Sequence, residues 1–240
     1  MLKEALQYIV GLAEATVQDI NGETYSDKQL FRIDHNPKAQ TIEMSTLTSF
    51  VDYIKSAADE MGGKMIIHVQ SATNVQLYSA LDYDRKREYL VNVDAICPGF
   101  TFNQFINHEN FCINLQSKAI DDPNTDKALL LKFAGTVEAG SVAEYGDDGV
   151  SQKATVKTGI ASKGEALVPS PVKLKLYRTF LEVEQPVSSF IFRMKQGSCG
   201  DILCALYEAD GGAWQITAMQ EIKKYLSEEL KDFPNFVIIS

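Results

Sequence analysis

The chain has 240 residues, of which 45% are hydrophobic and 23% are charged, the proportions of an ordinary globular protein. These proportions exclude an intrinsically disordered chain, a collagen-like repeat and a disulfide-dense miniprotein. The formal net charge of −9 argues against a protein that coats nucleic acid, because affinity for phosphates comes mainly from an excess of Lys and Arg.

Local patterns in the first hundred residues predict two helices and several short strands. Asn21-Gly22 is the favoured pair for a type I′ turn, so we expect a hairpin there. Ser45 or Thr46 caps the second helix, and Gly62-Gly63 ends it. The predicted elements are a helix over 3–15, the hairpin over 15–25, a strand over 30–33, a helix from 45 or 46 to 61, and an antiparallel meander of three strands over 64–70, 75–81 and 88–95.

The rest of the chain contains further helices, a long hairpin and several strands. Asn107 is a suitable cap for one helix, and Asn124 or Thr125 for the next. Gly211-Gly212 introduces the last helix. The predicted elements are helices over 108–118 and 125–133, a hairpin with its tip at 146–149 between arms over 137–145 and 150–158, strands over 172–180, 188–195 and 201–208, a helix over 213–231 and a terminal strand over 236–239.

Along the sequence, several predicted strands or several predicted helices follow one another, and the two types do not alternate strictly. This order favours an α+β fold over a doubly wound one. We expect largely antiparallel sheets with N-terminal, middle and C-terminal helices packed on them. The whole chain, 1–240, is interpreted as one domain. If the chain had a domain boundary, it would fall at 161–171, because this segment contains Gly164, Pro169 and Pro171. We interpret the segment as a loop rather than as a domain boundary.

The familiar chemical motifs are missing or incomplete, so no catalytic residue, metal site or cofactor is predicted. The three histidines are far apart and none has a metal-ligand partner at helical or strand spacing. Residues 121–126 resemble the start of a calcium loop, but Lys127 stands where that loop needs Gly. Gly197-Ser-Cys-Gly200 indicates a hairpin turn rather than a nucleophile elbow. These patterns favour a non-enzymatic protein without excluding an enzyme.

The sequence also indicates a cytoplasmic protein with no membrane segment. A secretory signal peptide needs a basic start, whereas this chain carries the acidic Glu4 there. No apolar run approaches the roughly 20 residues of a membrane-spanning helix. The four cysteines contain no Cys-x-x-Cys pair and are expected to be reduced thiols.

Although the chain as a whole is acidic, one segment of it is basic. Residues 153–195 hold eight basic residues and three acidic ones, a local charge of +5, so the remainder carries −14. Alternation along strands sorts the basic residues by face. If the three strands are neighbours, six cations line one sheet face together with Tyr177; these are Lys153, Lys157, Lys173, Lys175, Arg193 and Lys195. Arg178 falls on the opposite, apolar side, where an arginine needs a partner carboxylate or an anionic ligand.

Three interpretations of this basic face remain open. It is an ordinary solvated surface, a site for a small phosphate-bearing ligand, or a subunit contact with the acidic remainder of another copy in a homo-oligomer.

Several short motifs together resemble a family of tailed phages and prophages, the YfdQ-like proteins, over roughly residues 45–230. The motifs are Thr46-Leu-Thr-Ser-Phe-Val-Asp-Tyr53, Gly146-Asp-Asp-Gly-Val-Ser-Gln152, Val156-Lys-Thr-Gly159, Tyr177-Arg-Thr-Phe180, Glu182-Val-Glu-Gln-Pro186, Phe190-Ile-Phe-Arg-Met194 and Glu208-Ala-Asp-Gly-Gly-Ala-Trp214. The resemblance implies a phage-encoded protein in the cytoplasm of the infected bacterium. It implies no activity, cofactor or site residue.

The favoured hypothesis is a non-enzymatic phage accessory protein that binds a partner or a small anionic, nucleotide-like ligand, and so counters host defence signalling. One alternative is an accessory factor of phage recombination that binds single-stranded DNA through the basic face and Tyr177, although the acidic total makes nucleic acid a less favoured partner. Another alternative is a self-assembling structural protein.

Overall fold

A computed structural model describes residues 2–13, 15–28, 38–137, 144–145, 151–157 and 163–240. The chain divides into two compact units, Met1–Lys38 and Ala39–Ser240. In chain order the elements are α1 (Leu2–Ala13), β1 (Val17–Ile20), β2 (Glu23–Ser26), β3 (Ile42–Met44), α2 (Leu47–Ser56), β4 (Met65–Ser71), β5 (Asn74–Ser79), β6 (Tyr89–Asp94), β7 (Ile106–Asn107), α3 (His108–Lys118), α4 (Lys127–Thr136), β8 (Glu144–Tyr145), β9 (Gln152–Lys157), β10 (Lys163–Leu167), β11 (Val172–Lys175), β12 (Val187–Gln196), β13 (Ile202–Glu208), α5 (Ala213–Glu229) and β14 (Phe236–Ile239).

The first unit consists of α1 and the β1–β2 hairpin. Asn21 and Gly22 have φ values of 56° and 86°, which is the left-handed geometry of the predicted type I′ turn. The strand predicted over 30–33 lies outside the described residues.

The second unit contains three sheets, of which the first is a five-stranded mixed sheet in the order β14-β4-β5-β6-β3. Its middle three strands are the predicted antiparallel meander, whereas β14 and β3 add to its edges in parallel. Helices α2 and α5 cover one face, and the apolar core between them includes Phe50, Ile67, Leu77, Ile222 and Leu226.

Helix α2 begins where expected and ends early. The side chain of Thr46 accepts a hydrogen bond from the N–H of Ser49, which is the predicted cap. The prediction that Gly62-Gly63 ends this helix is wrong, because Ala57 adopts a left-handed conformation and donates its N–H to Ile54. That geometry satisfies a terminal carbonyl and closes the helix at Ser56.

The second sheet of this unit has four strands in the order β11-β12-β13-β7, and its pairings are antiparallel. Helix α3 begins at the predicted cap, where Asn107 Oδ1 accepts from the N–H of Glu109. Helices α3 and α4 pack against the even-numbered side chains of β11 and β12, so a second core forms around Phe111, Leu130, Phe190 and Phe192. The odd-numbered side chains of these strands therefore form the outer face of the sheet.

The third sheet, β10-β9-β8, corrects the interpretation of 161–171 as a loop. Residues 163–167 form β10, which pairs along its length with β9. Backbone pairing overrides the weak strand preference of Gly164, which lies opposite Val156. The predicted strand over 172–180 ends at Lys175, and the hairpin tip at 146–149 lies outside the described residues.

Together these elements form an α+β fold of largely antiparallel sheets, as predicted. None of the helices in the described ranges has both the length and the apolar character needed to cross a membrane.

Candidate functional site

The six-cation face does not form, because the three strands that carry it belong to two different sheets. β9, with Lys153 and Lys157, pairs with β8 and β10, whereas β11 and β12 pair with each other. The alternation of side chains along a strand predicts the face on which each cation lies. It does not predict which strands pair with one another.

Four of the predicted cations share the outer face of the four-stranded sheet. Lys173 and Lys175 lie opposite Ser189 and Val187, and Arg193 and Lys195 lie further along β12. At about 3.3 Å per residue, Arg193 is roughly 13 Å along the strand from Ser189, so the cations form two separate pairs.

Lys175 is already neutralised within the fold. Its Nζ lies 2.8 Å from Glu184 and 3.4 Å from Asp122, and only 12% of its side chain is exposed. The hydrogen bond to Glu184 raises the pKa of Lys175, and the pKa of Asp122 is lowered by the N–H of Asn124 and then by Lys175. These contacts assign Lys175 a structural role.

Four more of the predicted site residues do not come together in one place. Lys173 is exposed, and the ammonium of Lys195 lies 4.2 Å from the centre of the Phe105 ring. Tyr177 is half-buried and donates its N–H to Lys118. Lys157 ends β9, and its side chain lies outside the described part of the structure.

A cavity of about 690 Å³ lies beside β12 and is here called the Arg193 cavity. The outer face of β12 contributes Ser189, Ile191 and Arg193, and the segment 167–171 lies against it. Hydrogen bonds link both sides to the sheets, because Val168 donates its N–H to Gln152 and Ala209 donates its N–H to Ser189. The cavity is lined by Ser151, Leu167, Val168, Pro169, Ser170, Pro171, Ser189, Ile191, Arg193 and Ala209.

Gln152 connects the two sheets at this point. Its side chain is buried, and it accepts from the N–H of Met194 at 3.2 Å and donates to the carbonyl of Met194 at 3.3 Å. These bonds cover the edge of β12 where β11 has ended, and they hold β9 and β10 beside Arg193.

The Arg193 cavity has the chemistry of an anion site. Arg193 is half-buried, and no carboxylate among the described residues pairs with it. The hydroxyls of Ser151, Ser170 and Ser189 line the same space, and Leu167, Ile191 and the two prolines supply apolar walls. A few polar groups on mostly apolar walls, in a volume between roughly 300 and 1,000 Å³, are typical of small-molecule sites.

Lys153 lies beside this cavity in the strand register. It is exposed and directly opposite Leu167, so the two residues share one face of the third sheet. Lys153 is not among the residues that line the cavity, so Arg193 rather than Lys153 supports an anion site.

Arg178 is buried on the opposite face of the four-stranded sheet, as alternation predicted. Its guanidinium lies 2.5 Å from Glu208, donates to Ser188 and stacks 4.1 Å from the Trp214 ring. Burial lowers the pKa of Arg178, and the carboxylates of Glu208 and Asp210 offset part of this effect. Nε has no hydrogen-bond partner among the described residues. Since a carboxylate already pairs with this arginine, the cluster joins α5 to the sheet.

The structure brings one thiol and one imidazole together without activating either. Cys112 Sγ lies 3.8 Å from His108 Nε2 on α3, but the same nitrogen is 2.7 Å from the carbonyl of Ala134. Nε2 must therefore carry the proton and cannot accept one from the thiol. Burial also raises the pKa of Cys112, which disfavours the reactive thiolate.

Sequence reasoning found Arg193, and Lys153 beside the cavity, but missed the other polar residues of the cavity lining. Ser151, Ser170 and Ser189 form no ligand-binding pattern in the sequence, and they converge only because β9 and β10 lie beside β12. The one usable signal was the Pro169-Ser-Pro171 segment, because proline lacks an N–H and marks where β11 can begin.

Comparison with known proteins identifies no relative: no family model, curated protein or solved structure matches the chain. Within the described ranges, no group of three or more His, Cys, Asp and Glu side chains is placed to hold a metal ion.

Proposed function

We propose that the protein is a non-enzymatic binding protein whose Arg193 cavity holds a small anionic ligand of nucleotide size. The observation that carries the proposal is the half-buried Arg193, which faces a cavity of about 690 Å³ without a carboxylate partner among the described residues. A guanidinium in such a place is best satisfied by the planar oxygens of a phosphate or carboxylate.

The lining favours a ligand with one charged end and a less polar body. Arg193 supports binding of the anionic end, and the walls formed by Leu167, Pro169, Pro171 and Ile191 suit an apolar or planar part. A nucleotide combines both properties.

The resemblance to tailed-phage proteins suggests the biological use of such binding. A phage accessory protein in the bacterial cytoplasm that sequesters a nucleotide signal would lower its free concentration and counter host defence signalling. Binding alone achieves this effect, so the proposal needs no catalytic group.

Isothermal titration calorimetry of the full chain against a nucleotide panel tests the proposal. The panel holds cyclic mononucleotides, cyclic dinucleotides, nucleoside mono-, di- and triphosphates, and the uncharged nucleoside as the matched control. We expect heat of binding for at least one phosphorylated member and a much weaker signal for the nucleoside. No binding to any member would reject the proposal.

The single-stranded DNA alternative loses the continuous track of cations that motivated it. Lys153 and Lys157 lie in a different sheet from Lys173 and Lys175, and Lys175 is paired. A mobility shift at low salt that disappears in a Lys153→Ala/Lys173→Ala/Arg193→Ala variant would restore this alternative.

A further inference from the structure

The Arg193 cavity contains little positive charge for a nucleotide site. Arg193 is the one charged side chain among the described residues that line it. Lys153 lies opposite Leu167 and Lys173 lies opposite Ser189, so both lysines border the cavity. Both are exposed, and water and salt screen their charge. The described lining therefore supplies one positive charge.

The other cations of the third sheet lie further from the cavity. Lys157 and Lys163 pair with each other four residues along the strands from the pair of Lys153 and Leu167, a distance of about 13 Å. The parts of 138–162 that fall outside the described residues contain no Lys or Arg in the sequence. In the strand register, Lys153 is thus the nearest cation that this sheet offers, and it does not line the cavity.

The wall of the cavity that precedes β11 is also poor in N–H donors. Pro169 and Pro171 have no N–H, and Val168 donates its N–H to Gln152. This wall therefore offers at most one N–H, that of Ser170. Proteins that bind terminal phosphates and polyphosphates commonly surround the oxygens with several backbone N–H groups and a lysine. The described lining of the Arg193 cavity does not form a cradle of that kind.

The charge of a nucleotide depends on how its phosphate is esterified. A terminal phosphate carries a charge of about −1.5 to −2 at neutral pH, because its second pKa is about 6. A phosphodiester carries a single negative charge, which two non-bridging oxygens share. One guanidinium matches that charge and both oxygens through two parallel N–H donors. A terminal phosphate in the same place keeps part of its charge unpaired and away from water, which is unfavourable.

We infer that the Arg193 cavity selects a nucleotide whose phosphate is a cyclic diester over the nucleotide with a terminal phosphate. Arg193 binds the two non-bridging oxygens, and the apolar walls contact the sugar and the base. The inference rests on the proposed function and names the class of nucleotide that the site takes.

Isothermal titration calorimetry of the full chain with matched ligand pairs tests the inference. Each pair holds the cyclic monophosphate and the linear monophosphate of the same nucleoside, for adenosine, guanosine, cytidine and uridine. At about pH 7.5 the cyclic member of the tightest-binding pair should bind at least about 10-fold more tightly than the linear one. Equal or tighter binding of the linear member, or no binding by any pair, would overturn the inference. The wider nucleotide panel decides separately whether the proposed function stands.

Acidification provides a readout that depends on the charge of the ligand. The singly charged fraction of a linear monophosphate rises from about 3% at pH 7.5 to about 75% at pH 5.5, because its second pKa is about 6. Its affinity should therefore rise about 10- to 20-fold, whereas the affinity of the cyclic diester should stay constant. Arg193, Lys153 and Lys173 remain charged over this range, and no His, Asp or Glu is among the described lining residues. A linear monophosphate whose affinity does not rise would contradict the charge match.

A second positive charge in the cavity should remove the preference. Ile191 is 36% exposed and lies two residues from Arg193 on the same face of β12, about 7 Å away, so a lysine can be placed there. Ile191→Lys should raise the affinity for the linear monophosphate, relative to the cyclic one, by about 10-fold.

Val187→Lys is the matched control for the added charge. Val187 is 47% exposed on the same strand and face, but it lies about 20 Å from Arg193 and outside the cavity lining. This variant should keep the wild-type preference, and far-UV circular dichroism checks that both variants fold. An unchanged preference in a folded Ile191→Lys variant, or the same change in Val187→Lys, would overturn the inference.

Discussion

Replacement of Arg178 should destabilise the protein strongly, because three kinds of interaction depend on this buried guanidinium. Arg178 is 8% exposed and donates to Ser188, which is itself 3% exposed. It also pairs with Glu208 and stacks against the rings of Phe190 and Trp214. Arg178→Ala leaves a cavity beneath these rings and an unsatisfied hydroxyl.

The size of the effect follows from these contacts. An unsatisfied buried hydroxyl costs about 1–3 kcal/mol, and the lost packing and cation–π contacts add about 2 kcal/mol. Glu208 contributes little, because 38% of its side chain is exposed and water can replace the guanidinium. We expect Arg178→Ala to lower the free energy of unfolding by about 3–5 kcal/mol. Arg178→Met, which keeps most of the volume, should cost about 1–2 kcal/mol less.

Urea denaturation provides the assay. Trp214 is the only tryptophan and lies 4.1 Å from the guanidinium, so its fluorescence reports on this cluster while far-UV circular dichroism reports on the whole fold. Glu208→Gln is the control for the loss of charge alone and should cost about 1 kcal/mol or less. A loss below about 1 kcal/mol for Arg178→Ala, or a Met variant no more stable than the Ala variant, would refute the reasoning.

Three further changes test other contacts. Thr46→Ala removes the cap that accepts from Ser49 and should lower the free energy of unfolding by about 1 kcal/mol in urea denaturation. Lys127→Met leaves the Ala119 carbonyl, 2.6 Å from Nζ, unpaired and should cost about 1–3 kcal/mol in the same assay; a neutral result would contradict the contact. Burial raises the pKa of Cys204 to about 12 from an ordinary value of 9.0, so the folded chain retains this proton while the unfolded chain loses it. Its contribution to stability is complete below pH 9 and should be lost as the pH rises from 9 to about 12, more steeply in wild type than in Cys204→Ala.

Elements with strong local signals were predicted closely. Asn107 marks the start of α3, Gly211-Gly212 precedes α5, and the apolar run over 236–239 forms β14 with the predicted bounds. The two helix starts are marked by residues close in sequence. The apolar run over 236–239 is too short for a helix, so a strand is the expected structure.

Elements whose limits depend on distant contacts were predicted less well. Gly62-Gly63 is a strong helix-end signal, but Ala57 had already closed α2. Residues 163–167 contain a glycine and follow no clear pattern, but pairing with β9 makes them a strand. Neither outcome can be read from local propensity.

The candidate site shows the same division. Alternation placed Arg193 on the outer face of its strand and Arg178 on the inner face, and the structure agrees on both. The Arg193 cavity itself depends on Gln152 bonding to Met194, a contact between residues 42 apart in sequence. Charge patterning could indicate an anion-binding segment, but only the packing of two sheets shows which cation faces enclosed space.

Calorimetry with a nucleotide that wild type binds tests whether Arg193 holds an anion, by comparing two variants that each lose one charge. Arg193→Gln removes the guanidinium from the Arg193 cavity, and Lys173→Gln removes an exposed cation from the same sheet face outside it. Arg193→Gln should weaken binding about 10- to 100-fold, as expected for the loss of one charge-assisted hydrogen-bonded pair, while Lys173→Gln should bind as wild type does. Equal losses of affinity in both variants, or full binding by a correctly folded Arg193→Gln, would contradict binding of the anion by Arg193.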